Sequence, residues 1–318
     1  MNPDALWVDT GPGARLARAL LRPASWGYRA VVAGRNALFD AGVLASRPTA
    51  IPALSVGNLS VGGTGKTPIA ADIASRLRSA GAHPALLLRG YGDDEARVHA
   101  LLNPDVPVLT SPDRVAASLA AAAQGCDIAV LDDAFQHRWA RRVVDVVLVA
   151  AEQWETPLRC LPAGRYREPL SALARASLVI VTRKTAEADA ALTVASAIAS
   201  VTEAPVARVS FALDELRRLG HDGESRPLSS LAGQTVIAVA GIGSPRAFAL
   251  QLRGAGAQVE LVSFPDHHAF TPADVSAIAR RSPAGATIVC TLKDAVKLDR
   301  LWPRAALPLW YVTQRLAL

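Results

Sequence analysis

Ser60-Val61-Gly62-Gly63-Thr64-Gly65-Lys66-Thr67 is the segment whose residue types and spacing point most directly to chemistry. Glycines at 62, 63 and 65 let successive backbone N–H groups curve around an anion, and a helix starting at the end of the segment adds its positive dipole end. Lys66 is spaced to reach the β- and γ-phosphates of a nucleotide, and the Thr67 hydroxyl to ligate Mg²⁺. Ser60 stands where the strict phosphate-loop pattern has glycine. Asp132-Asp133 ends the apolar run 128–131, as does an acid pair that holds Mg²⁺ directly or through water. It continues into Ala134-Phe135-Gln136-His137, polar groups at the carboxyl end of a strand, where open α/β sheets place ligands. These features specify a nucleotide and leave its use open.

The elements that must position these residues follow from the apolar pattern. From residue 53 onward, short apolar runs at 53–56, 85–88, 106–109, 128–131, 144–149 and 178–181 alternate with helical stretches at 67–78 and 115–123. Runs apolar on both faces predict a parallel sheet covered on both sides. A second block from 206 repeats the pattern with strands at 236–240, 258–264, 287–291 and 309–312 and helices at 245–254 and 272–281. The expected fold class is α/β: a P-loop NTPase-type parallel-sheet domain over 49–205 and a smaller α/β domain over 206–318. Residues 1–48 form a separate basic helical segment, with helices at 13–22 and 25–44 broken by Pro23.

With 318 residues, 51% of them hydrophobic and 19% charged, the chain is excluded from the disordered and disulfide-framework classes. Cys126, Cys160 and Cys290 are far apart and mostly flanked by apolar residues, which predicts core thiols and a cytoplasmic, reducing setting. The formal charge of +6 is carried by thirty arginines and only four lysines and suits an anionic partner. No run is long enough to span a bilayer. Arg15, Arg18, Arg22, Arg29 and Arg35 nevertheless recur beside Leu16, Leu20, Trp26, Tyr28 and Phe39. That pattern suits either a helix lying in a lipid interface or one packed on its own domain with arginines in water.

The segment from Ser55 to Pro68 resembles the signature of the tetraacyldisaccharide 4'-kinases, which act on lipid A precursors. So do Arg89-Gly90-Tyr91-Gly92, Asp132-Asp133-Ala134-Phe135-Gln136-His137, the segment from Leu161 to Pro169, Asp266-His267-His268 and the segment from Lys293 to Lys297, all in the family's order. The resemblance implies transfer of phosphate from ATP with Mg²⁺ to the 4'-hydroxyl of a tetraacylated glucosamine disaccharide 1-phosphate. It also implies a monomer peripherally bound to the inner-leaflet surface, with no nucleic-acid partner. Carried over residue by residue, Gly62, Gly63, Thr64, Gly65, Lys66 and Thr67 bind the nucleotide. Thr67, Glu95, Asp132 and Asp133 stand on the Mg²⁺ side. Asn58, Gln136, His137, Arg167 and Glu168 fall to the substrate, and Asp94 with His267 to the base on the sugar hydroxyl. Counting back from Pro107 favours Asp94 over Asp93 as that base.

The sequence departs from the family pattern at Ala134, where glycine is usual, and at Leu292, where glutamate is usual. The proline after the acidic pair is also missing. The loop by itself also fits a GTPase switch or metallochaperone-type protein, although a guanine-reading Asn-Lys-x-Asp is missing and Val61 replaces the extra lysine of such loops. A non-catalytic membrane protein would explain the basic helices but leave the loop and acid pair idle.

Overall fold

The computed structural model describes residues 6–7, 9–90, 94–221, 223–283, 285–303 and 307–317. The chain divides into two compact units. The first comprises Met1–Gly90, Asn103–Thr182 and Glu187–Arg208, and the second Tyr91–Leu102, Arg183–Ala186 and Val209–Leu318. Residues 91–102, read from sequence as part of the phosphate-loop domain, thus group with the second unit. The N-terminal segment, read as separate, groups with the first.

The first unit opens with helices α1 (Pro12–Leu20) and α2 (Arg22–Asp40). The two helices are separated at Leu21, as Pro23 predicts, and Pro23 itself sits in the first turn of α2, where its missing N–H and fixed φ are harmless. Ser25, Val32 and Phe39 recur every seven residues and form the buried face of α2. The Ser25 hydroxyl donates to the Cys160 carbonyl (2.9 Å) and accepts from the Ala163 N–H (3.0 Å), while the Tyr28 hydroxyl donates to the Arg167 carbonyl (3.1 Å). Phe39 meets Trp139 edge to face, with the Arg138 guanidinium 5.0 Å from the Phe39 centroid. The opposite side leaves Leu16, Leu20, Trp26, Val31 and Leu38 exposed. One face of this segment therefore packs on its own unit while apolar side chains on the other meet solvent.

Six strands follow: β1 (Ala53–Asn58), β2 (Pro84–Leu88), β3 (Val108–Thr110), β4 (Ile128–Asp132), β5 (Val144–Ala150) and β6 (Leu178–Arg183). They pair in the order β6-β5-β1-β4-β2-β3, all parallel. Every residue of β2 and all but one of β1 are buried, as continuous apolar runs require. Helix α3 (Lys66–Ser79) packs on β1, β2 and β4. In chain order come α4 (Asp94–Leu102) of the second unit, then α5 (Arg114–Ala123) and α6 (Ala188–Ala199). Ala117 and Ala121 of α5 pack on Ala53, Leu87, Ala129 and Leu131, small residues that bring the helix close to the sheet.

Beyond α4, the second unit contains β7 (Val206–Arg218), which begins in the first unit, followed by β8 (Ser225–Pro227), β9 (Thr235–Ala240), β10 (Gln258–Ser263), β11 (Thr287–Thr291) and β12 (Leu309–Ala317). Its helices are α7 (Pro245–Gly254), α8 (Pro272–Arg281) and α9 (Leu292–Leu298). Strands β10-β9-β11-β12 are parallel, and β7 joins β12 antiparallel. Alternation divides the core cleanly. Ile237, Val239, Ile288 and Cys290 face α8 and α9, while Val236, Ala238 and Val289 face Phe248 and Leu252 of α7. β7 escaped the sequence reading because charged and half-exposed residues interrupt it, so it has no apolar run. All three cysteines are free and buried, as expected of core thiols.

Candidate active site

In the first unit β1 lies between β4 and β5, so the winding reverses there and a crevice opens at its carboxyl end. Parallel register sets Val56 beside Asp132, which brings the acid pair alongside the start of the glycine loop. The two segments touch because residue 57 is glycine: a Cβ there would fall 2.4 Å from the Phe135 Cβ. Gly62 and Gly65 hold φ of +113° and +94°, a region costly for other residues, and Gly65 is the N-cap of α3.

The loop is held from several sides. The Asn58 amide donates to the Thr64 hydroxyl (2.9 Å), and the Thr182 hydroxyl donates to the Thr64 carbonyl (2.9 Å). Val61 N–H donates to the Arg165 carbonyl (2.8 Å) and Arg167 N–H to the Leu59 carbonyl (2.6 Å). The segment 161–169 is thus paired to the loop by backbone. Its Arg167 side chain then reaches both oxygens of Asp133 (3.1 and 3.3 Å), and Lys66 Nζ lies 3.6 Å from the same carboxylate. Asp133 adopts φ +50°, a backbone strain that aspartate tolerates better than most residues. The glycine usual at the next position is therefore not needed to make this turn. Ala134 fits fully buried against the sheet.

Other residues assigned to substrate stand behind this front. Asn58 is fully buried and braces Thr64, and the Gln136 amide donates to the Asn58 carbonyl (2.8 Å). Glu168 is 2% exposed, with Arg175 on both oxygens (3.1 and 2.9 Å) and the Asn36 amide on one (2.8 Å). The side chains of Asn58 and Glu168, assigned to substrate from the sequence, are enclosed by protein, Asn58 against Thr64 of the loop and Glu168 against Arg175 and Asn36. Burial, reinforced by Arg114 and Arg142, pushes the His137 imidazole down to about 4, so it is neutral at physiological pH. Arg114 carries no sequence signal beyond its charge. It is buried, its guanidinium donates to the Ser111 and Asp132 carbonyls, and burial pulls its pKa to about 10 against the pull of Asp132.

The second unit gathers a different set. Asp94 and Glu95 open α4, and Lys293 and Lys297 lie one turn apart on α9, which packs against it. Lys293 Nζ is 3.3 Å from Glu95. Asp94 Oδ2 lies 3.4 Å from Lys297 Nζ and 3.5 Å from His267 Nδ1, and it has no directed hydrogen bond among the described residues. His267 is exposed and holds φ +58°. Its neighbour His268 is a packing residue, stacked on Phe264 (4.7 Å) with Nε2 3.1 Å from Asp274. Asp294 anchors the start of α9 from inside, accepting from the Thr291 hydroxyl (2.6 Å) and the Gly241 N–H (3.1 Å). Burial raises its pKa, opposed by those bonds and by Lys297.

Asp94 is the described carboxylate of this stretch that meets His267. Asp93, with Tyr91 and Gly92, lies outside the described residues. In the sequence Lys297 stands at the end of the run from Lys293. Its four-residue spacing from Lys293, opposite two adjacent acids, was the available signal.

A family model described as "Tetraacyldisaccharide-1-P 4'-kinase" matches residues 17–318. A tetraacyldisaccharide 4'-kinase from Anaeromyxobacter dehalogenans is 38% identical over 93% of this chain and 86% of its own length. One from Xanthomonas campestris pv. campestris is 36% identical over 92% and 86%. Among solved structures, the "apo" form of LpxK from Aquifex aeolicus, in complex with ATP, superimposes with a TM-score of 0.73 at 28% identity, covering 95% of each chain. The family model over residues 17–318, the relatives at 36–38% identity and the matching solved structure show that the chain belongs to the tetraacyldisaccharide-1-phosphate 4'-kinase family.

Proposed function

We propose that this protein is an ATP-dependent kinase that phosphorylates the 4'-hydroxyl of a tetraacylated glucosamine disaccharide 1-phosphate in lipid A biosynthesis. The observation that carries the reading is the braced glycine loop, with Lys66 and Arg167 converging on Asp133, in a chain of this family. Lys66 and Arg167 are cations held in place before any ligand arrives. An ATP phosphate would take these cations over from Asp133, while the backbone of the loop that receives it stays fixed.

Asp94 is placed to accept the acceptor hydroxyl's proton, with His267 and Lys297 fixing its carboxylate from two sides. The donors assigned to Mg²⁺, Thr67, Asp132, Asp133 and Glu95, are all oxygen ligands and suit a hard cation. Among the described residues no group of three or more His, Cys, Asp or Glu could hold a metal by themselves. When bound, the metal would neutralise charge on the transferring phosphoryl group.

The chain works as a monomer at the inner-leaflet membrane surface, with α1 and α2 against the lipid and no nucleic-acid partner. No helix among the described residues is long and apolar enough to cross a membrane, and the exposed Leu16, Leu20 and Trp26 support surface binding. The decisive experiment is incubation of the pure protein with labelled ATP, Mg²⁺ and the disaccharide lipid, with mass spectrometry locating the new phosphate. Label on the 4'-oxygen is expected. ATP hydrolysis without labelled lipid would return the switch reading.

A further inference from the structure

Arg15, Arg18 and Arg22 of the N-terminal helices and Arg159 line a cavity of about 280 Å³ in the first unit. Arg18 is committed internally: its Nη1 donates to the carbonyls of Leu6 and Asp9, each at 2.6 Å. Arg15, Arg22 and Arg159 show no ion pair or side-chain hydrogen bond among the described residues. Glu155 feels Arg165, Arg159 and Arg18 but does not line the cavity. Among the described residues, like charges are therefore brought together with no lining carboxylate to balance them.

The arrangement is fixed by the backbone. A Cβ on Gly164 would fall 2.4 Å from the Arg159 carbonyl oxygen, so only glycine lets the 159–164 turn close this tightly. The Ser25 hydroxyl then ties that turn to α2 through the Cys160 carbonyl and the Ala163 N–H. Arg159 and Arg22 thus stand on two segments locked to each other, as a site needs and a solvated charge run does not.

The neighbouring apolar residues indicate which anion fits. Leu16 and Leu20 follow Arg15 and Ala19 around the same helix and are 63% and 73% exposed, and Trp26 is 64% exposed on α2. Apolar side chains beside guanidinium groups suit a segment whose leucines enter the acyl region while its arginines lie level with the phosphates. We propose that this cavity is a headgroup site for the phosphodiester of an anionic bilayer phospholipid. It shares no residue with the glycine loop and rests on the membrane-surface reading above. The fork geometry of arginine matches phosphate oxygens, so phosphate would be preferred over equal charge of another kind.

The test uses the full chain and vesicles of phosphatidylcholine alone, phosphatidylcholine with phosphatidylglycerol, and phosphatidylcholine with a fatty-acid carboxylate at matched charge. Arg159→Gln is compared with Arg29→Gln, an exposed arginine of α2 outside the cavity, with thermal melts confirming that both variants fold. Arg159→Gln should weaken binding to phosphatidylglycerol vesicles about tenfold or more, whereas a diffuse surface charge such as Arg29 is worth about fivefold or less. The gap should vanish on carboxylate vesicles. Equal losses from the two variants on phosphatidylglycerol would overturn the headgroup site while leaving membrane binding intact. Failure of the unaltered protein to bind any vesicle would overturn both. If Arg159→Gln raises the KM for glycolipid in detergent as much as it weakens vesicle binding, the cavity holds the substrate's own phosphate instead, and the bilayer-lipid assignment is wrong.

Discussion

The glycine loop of the first unit and the Asp94 cluster of the second hold charge in opposite ways. Around the loop, most fixing contacts involve backbone: Val61 and Leu59 pair with the 165–167 stretch, and Thr64 is pinned by Asn58 and Thr182. Only the tips of Lys66, Asp133 and Arg167 are free to exchange partners. In the second unit two separate segments send side chains to one carboxylate oxygen of Asp94, at 3.4 and 3.5 Å, with His267 56% exposed. The glycine loop is thus fixed mostly through main chain, and the Asp94 cluster is built from side chains whose distances can shorten by small rotations.

The largest effect should come from the rigid side. Lys66→Ala or Thr67→Ala removes stabilisation of charge in the transition state and should lower kcat by about 10²–10³ while leaving the melting curve close to the parent's. Near-parental turnover at saturating ATP would break the contrast by showing that the loop is not the donor site.

The side-chain cluster makes a sharper prediction. Asp94→Asn and His267→Gln should each lower kcat, and the double variant should cost little more than the worse single, because groups acting as one unit are non-additive. Lys297→Met should lower kcat by about tenfold with the KM for ATP unchanged, equivalent to about 1.4 kcal/mol, and Lys297→Arg should recover part of it. Full additivity across Asp94 and His267 would separate them into independent residues. A Lys297→Met defect seen only in the melting curve would make that lysine purely structural.

The smallest effect is on acid stability. His137 titrates near 4 in the folded chain, below its ordinary 6.5, so the unfolded state binds the extra proton between those values. Stability therefore falls as pH drops from about 6.5 towards 4. His137→Gln should flatten that part of a denaturation-midpoint profile. An unchanged slope would mean that the imidazole is solvated.

Much was legible before any coordinates. Strands such as β2 and β9 were readable because residues buried on both faces leave an unbroken apolar run, and α7 and α8 because their apolar residues keep a helical period. The half-exposed β7 lacked either signature. The grouping of α4 with the second unit had no local signal either, since it depends on packing against α9, some two hundred residues away in the chain.

The sequence by itself determined the phosphate loop, the acid pair, the alternation of strands and helices in both units, and the family. Each of these is written in consecutive residues, because glycine φ values, strand burial and helix starts are local properties. Only the tertiary structure decided that the Glu168 and Asn58 side chains are enclosed by protein, that His267 comes within 3.5 Å of Asp94, and that Lys297 stands opposite the same carboxylate. It also decided that α2 packs through Ser25, Val32 and Phe39 while leaving Trp26 outside. Those outcomes depend on which side chains are enclosed and which distant charges are brought within a few ångströms, and the spacing of residues along a chain does not contain that information.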